Sequence, residues 1–209
     1  MPTLSRTRFR PETIAAGLAL CAVAILSAIA LVDPPLAHWL TVEDGVVEWL
    51  QVLLDAAAVL LIARHMVRAP DGRVSPLDVL TVAALTGLII GELDVDRLLF
   101  DTKVMKMSFF VNPKFALGWR VLAAVVVVGV PAALGIYALR HIRTLWREGW
   151  AALAQPWGRM LAASALLLVL TELFERPLGH VPGVPRYFLE ELLELVASIG
   201  IVVAAATRR

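Results

Sequence analysis

Six mostly apolar stretches of roughly 20 residues recur along the chain, at about 12–32, 46–67, 77–100, 119–140, 159–176 and 186–206. A hydrocarbon core about 30 Å thick needs roughly 20 such residues per helix. A backbone in lipid must also satisfy its own hydrogen bonds, which leaves helices or closed barrels. The pattern predicts an all-α fold, a six-transmembrane-helix bundle forming a single integral membrane domain over 1–209. The composition agrees: 59% apolar and 18% charged residues exclude a disordered chain, a coiled coil and an ordinary soluble enzyme.

The net charge of +1 hides a strong asymmetry. Segments 1–31, 64–78, 140–159 and 207–209 hold 12 basic residues against four acids. Segments 33–48, 92–120 and 172–194 hold seven basic residues against 13 acids. The positive-inside rule makes the first set cytoplasmic, so both termini are expected in the cytoplasm of a bacterial inner membrane. Arg6, Arg8 and Arg10 precede an apolar run too long for a usual signal-peptide core, so an uncleaved first helix is expected. Trp39, Trp49, Trp119, Trp146, Trp150 and Trp157 fall near helix ends, as interfacial aromatics do. Segment 101–118 carries three lysines among Met and Phe residues and reads as a connector lying in the membrane interface.

The carboxylates gather on the acidic side. Glu48, Gln51 and Asp55 share a face at i, i+3, i+7. Glu92 and Asp96 are i, i+4 in the third stretch; Glu172 and Glu175 are i, i+3 in the fifth. Glu190, Glu191 and Glu194 open the sixth. Asp55 lies near the middle of its span, where an acid is expensive and is expected to face the bundle interior.

Clustered carboxylates repel one another, which raises some of their proton affinities or recruits a cation. Hard cations such as Ca²⁺ and Mg²⁺ take oxygen ligands, and Zn²⁺ also accepts carboxylates. Glu48, Glu92, Asp96, Glu172, Glu191 and Glu194 are the candidate ligands of a divalent cation. Asp55, Glu175 and His180 are the candidate proton-moving residues. A bland alternative stands beside this: pairs such as Glu92 or Asp96 with Arg97 or Arg120 can hold helices in register without chemistry. A lone loop histidine such as His180 is also more often neither ligand nor base. The Glu-x-x-His pair of carboxylate-bridged dimetal bundles is absent, as are HExxH, GxSxG, the Walker loop and GxGxxG. The basic side suits anionic lipid, and no aromatic-interleaved basic patch points to nucleic acid.

Three short motifs carry a resemblance. Glu43, Asp44, Gly45 and Glu48 form E-D-G-x-x-E; Glu92 and Asp94 form E-x-D, with Gly91 where an arginine is usual; Glu190, Glu191, Glu194 and Leu195 form E-E-x-x-E-L. In these the chain resembles an uncharacterised family of bacterial polytopic inner-membrane proteins. The resemblance implies that these carboxylates are central and implies no activity.

Three functions fit the residues. One is a cation-dependent intramembrane enzyme acting on a lipid or isoprenoid. Another is a proton- or cation-coupled transporter with Asp55 as its relay. The third is a non-catalytic accessory or scaffold subunit whose outer acids dock a membrane-protein partner or a second copy.

Overall fold

Local signals start most of the helices. The computed structural model describes residues 10–42, 45–68, 74–95, 97, 104, 107–175 and 186–208, without the side chains at 107–108, 172–175 and 186–187. Helix α1 (Pro11–Val32) has proline in its first turn, where the missing N–H costs nothing. The Asp33 carboxyl caps α2 (Pro34–Thr41) by accepting from the Leu36 N–H at 3.1 Å. Helix α3 spans Val46–Val67. The Ser75 hydroxyl caps α4 (Pro76–Glu92) by accepting from the amides of Leu77 and Asp78. Beyond it lie α5 (Met107–Val111), α6 (Leu117–Arg140), α7 (Ile142–Leu153), α8 (Pro156–Glu175) and α9 (Arg186–Thr207). No strand occurs among the described residues.

Two compact units are formed, one from 1–64 with 150–209, the other from 65–149. In the first, α9 packs along α8 and α1 and against α2. Two apolar clusters fix the helix directions. Near one end Ala15, Met160 and Ala204 meet. At the other, Leu26, Val47, Leu192 and Leu195 meet. Arg159 near the start of α8 also pairs with Glu12 near the start of α1 at 2.7 Å. So α1 and α8 run one way, and α3 and α9 run the other. The first turns of α1 and the last turns of α9 therefore share one end of this unit.

Close approach is built in with small residues. A Cβ on Gly200 of α9 would strike the Ser164 hydroxyl of α8, and one on Gly158 would strike the backbone of Ala152. Gly45, at the start of α3, leaves room for the carbonyls of Leu40 and Val42 at 2.7 and 2.5 Å from where a Cβ would sit.

The second unit holds α4, α5, α6 and most of α7. Phe109, only 1% exposed, packs with Val104 and Ala123, and Phe110, Phe115 and Val127 close over them. Part of the expected interfacial connector is thus folded onto the start of α6. The Arg120 guanidinium ties it down by donating to the Phe110 carbonyl at 3.2 Å. Within α6, Val125–Gly129 form one π-helical turn, and the Val130 N–H donates to the Val125 carbonyl five residues back. Pro131 follows at once; it has no N–H to give Val127, and the widened turn makes room for its ring.

Among the described residues, three helical spans are long and apolar enough to cross a membrane: Pro11–Val32, Pro34–Val67 and Leu117–Arg140. A fourth is reached if α7 and α8, bent by 106° at their junction, count as one. α1 and α6 leave nearly all of their apolar side chains outside, among them Leu18, Leu20, Ile25, Leu31, Val126 and Val128. So much exposed apolar surface is the mark of a helical membrane protein.

One expected helix is interrupted. In the stretch 77–100, α4 ends at Glu92 and Leu93 and Asp94 form a turn, after which Val95 and Arg97 are helical again. Asp94 takes a positive φ of 39°, a conformation that aspartate tolerates better than most residues.

Candidate functional site

The first unit has a polar seam where α3 faces α9. Along α3, Val47, Gln51, Asp55, Ala58 and Ile62 are all buried. Their spacing of three and four residues makes them one face. Along α9, Leu192, Leu195, Ser198, Ile201 and Ala204 are buried likewise. The helices are parallel and in step: Gln51 meets Glu191, Asp55 meets Ser198, and Ile62 lies beside Ile201, Ala204 and Ala205.

Gln51, 2% exposed, uses its side-chain amide twice. Its Nε2 donates to the Glu191 carbonyl at 2.9 Å and to the Glu191 carboxylate Oε2 at 3.1 Å. One turn deeper, Asp55 is 6% exposed. Ser198 of α9, 2% exposed, is its polar neighbour across the seam. The carboxyl Oδ1 is sealed from solvent with no hydrogen-bond partner. Below Asp55 the seam is apolar, formed by Ala58, Ile62, Ile201 and Ala204. Polar groups thus reach the middle of the bundle from the acidic end and stop at Asp55.

The sequence-expected residues divide into three groups. Gln51, Asp55 and Glu191 come together in the seam, with Glu48 half-buried one turn above Gln51 and Glu194 half-buried on α9. The backbone positions of Glu172 and Glu175 are in the last turn of α8. Because α8 runs against α9, that turn is at the acidic end too; the side chains of both lie outside the described residues. Asp96 and His180 lie wholly outside them.

Glu92 is the last residue of α4 and half-buried; Asp96, its expected i, i+4 partner, lies outside the described residues. Arg97 pairs with Asp94, three residues before it, at 2.6 Å. Among the described residues, no group of three or more His, Cys, Asp and Glu side chains converges as metal ligands would.

Ser198 is the seam residue that sequence reasoning missed. The signal was present: it stands seven residues after Glu191, on the same helix face, in an otherwise apolar run.

Chemically, a buried carboxyl group with a bare oxygen can take up a proton or coordinate a cation on that oxygen. No family model, curated protein or solved structure matches this chain. The functional reading therefore rests on the seam itself.

Proposed function

We propose that this is a multi-pass membrane transporter that exchanges a proton or cation at Asp55. The reading takes the chain as six spans in a bacterial inner membrane, both ends cytoplasmic, so that the acidic end opens outward. The observation that carries it is the bare, buried Oδ1 of Asp55 at the foot of a polar seam. An intramembrane acid with an unmet valence is costly as a mere scaffold element. Glu191 and Gln51 form the route by which an ion from the acidic side reaches it. Transport requires the apolar lower seam, lined by small residues such as Ala58 and Ala204, to open in turn.

The cation-dependent lipid enzyme is the alternative reading; Asp96, His180 and the side chains of Glu172 and Glu175, on which it draws, lie outside the described residues. The test uses the full chain in proteoliposomes with a pH-sensitive dye inside and an imposed potassium diffusion potential. Proton flux above empty vesicles is expected, with Asp55→Asn abolishing it and Ser198→Ala reducing it. Equal flux from wild type and Asp55→Asn overturns the reading. So does a stoichiometric metal retained by the purified protein and lost in Glu191→Gln, which returns the enzyme.

A further inference from the structure

Segment 140–159, which the charge pattern marks as a basic loop, contains the amphipathic helix α7 (Ile142–Leu153). Its inner face is tied down. Glu148 Oε2 accepts from the Ser75 hydroxyl at 2.8 Å, at the start of α4. Ala152 is buried, with its backbone hard against Gly158. The outer face carries Ile142, Arg143, Trp146, Arg147 and Trp150, all exposed. At i, i+4 and i+8, Ile142, Trp146 and Trp150 make a continuous apolar stripe, and the two arginines run alongside it.

The corner after α7 is rigid. The Gln155 N–H donates to the Ala152 carbonyl at 2.8 Å, and Gly158 admits the Ala152 backbone where no side chain would fit. The bend there is 106°. An amphipathic helix with aromatic and cationic side chains along one exposed face suits the plane of the membrane interface. Tryptophan rings settle at headgroup depth, and guanidinium groups beside them meet lipid phosphates.

We infer that α7 is an in-plane interface helix whose exposed face docks on anionic phospholipid headgroups, with Trp146 and Trp150 as depth anchors and Arg143 and Arg147 as phosphate contacts. This rests on the membrane reading of the chain and not on transport at Asp55. The occupant follows from charge and shape together. The stripe is one residue wide and flanked by cations, which suits a boundary between acyl chains and phosphates. An apolar partner protein would leave both guanidiniums without counter-ions.

The test places the full-length protein in nanodiscs of phosphatidylcholine with or without phosphatidylglycerol, using lipids brominated at shallow or deep chain positions. The signal from α7 is the fluorescence difference between wild type and Trp146→Phe/Trp150→Phe. Stronger quenching by shallow than by deep bromine is expected, increasing with phosphatidylglycerol. Arg143→Gln/Arg147→Gln is expected to lower phosphatidylglycerol retention in native mass spectra about thirtyfold, since each cation at an anionic surface contributes roughly fivefold. Phosphatidylcholine retention should not change.

A fluorophore on Cys21, exposed in the middle of α1, reports the membrane reading separately. If that probe is quenched by deep bromine while the α7 signal is not, the α7 inference fails and the membrane reading stands. If neither is quenched, both fail. A Trp146→Cys/Cys21→Ser variant that crosslinks efficiently to a second copy would also overturn the inference, since the face would then be covered by protein.

Discussion

The side-chain amide of Gln51 holds Glu191 at two points, the backbone carbonyl at 2.9 Å and the carboxylate at 3.1 Å, across 140 residues of sequence. A single buried side chain therefore sets the register of α3 against α9. Gln51→Leu removes both contacts and should destabilise the protein by about 1–2 kcal/mol, given the modest net value of such bonds in membrane bundles. Unfolding in mixed micelles measures it. Glu191→Gln keeps the backbone contact and should cost less than Gln51→Leu; the reverse order would show that the carboxylate contact dominates.

Replacing Asp55 separates a functional acid from a structural one. Its Oδ1 has no partner, and its neighbours on the α3 face are apolar but for Gln51. A buried polar group that is left unsatisfied costs about 1–3 kcal/mol, which an apolar replacement removes. Asp55→Leu should thus raise stability, or leave it unchanged, while ending ion flux. A large loss of stability with flux retained would identify Asp55 as part of the scaffold.

The two crowded glycines should respond unequally. Alanine at 158 meets the backbone of Ala152, which cannot move without opening the α7–α8 corner. Alanine at 200 meets the Ser164 hydroxyl, which can rotate away. Gly158→Ala should cost about 1–3 kcal/mol, as overpacking does, and Gly200→Ala distinctly less. Adding Ser164→Ala should recover most of the Gly200→Ala loss in the same unfolding assay.

Pro131 should account for the π-helical turn at Val125–Gly129. Pro131→Ala returns an N–H to the helix and removes the ring, so the turn can tighten to the ordinary four-residue spacing. Slower amide exchange at Val126–Val130 of the variant is the expected outcome. Unchanged exchange would mean that the turn is held by packing.

The sequence carries the helices themselves because their causes are local. Apolar length alone places α1, α3 and α6 within about two residues of Pro11–Val32, Val46–Val67 and Leu117–Arg140. The Asp33-Pro34 and Ser75-Pro76 starts are equally local, since a cap and its amides lie within three residues. Helix α7 was not among the expected helices, although its signal was present: Ile142, Trp146, Trp150 and Leu153 repeat with helical spacing inside a segment that charge alone marks as a loop. The shared face of Gln51 and Asp55 follows from spacing in the same way.

The partners of that face do not. α1, α3 and α8 are apolar nearly all round, so hydropathy gives no preference for which side turns inward. The choice falls to contacts between distant positions: Gln51 on Glu191, Asp55 by Ser198, Gly200 against Ser164. Lipid solvates an apolar side chain as well as a protein interior does. Length and hydropathy therefore decide that a segment is a helix in the membrane, while close packing and the few polar side chains decide what it faces, and those exist only once the chain has folded.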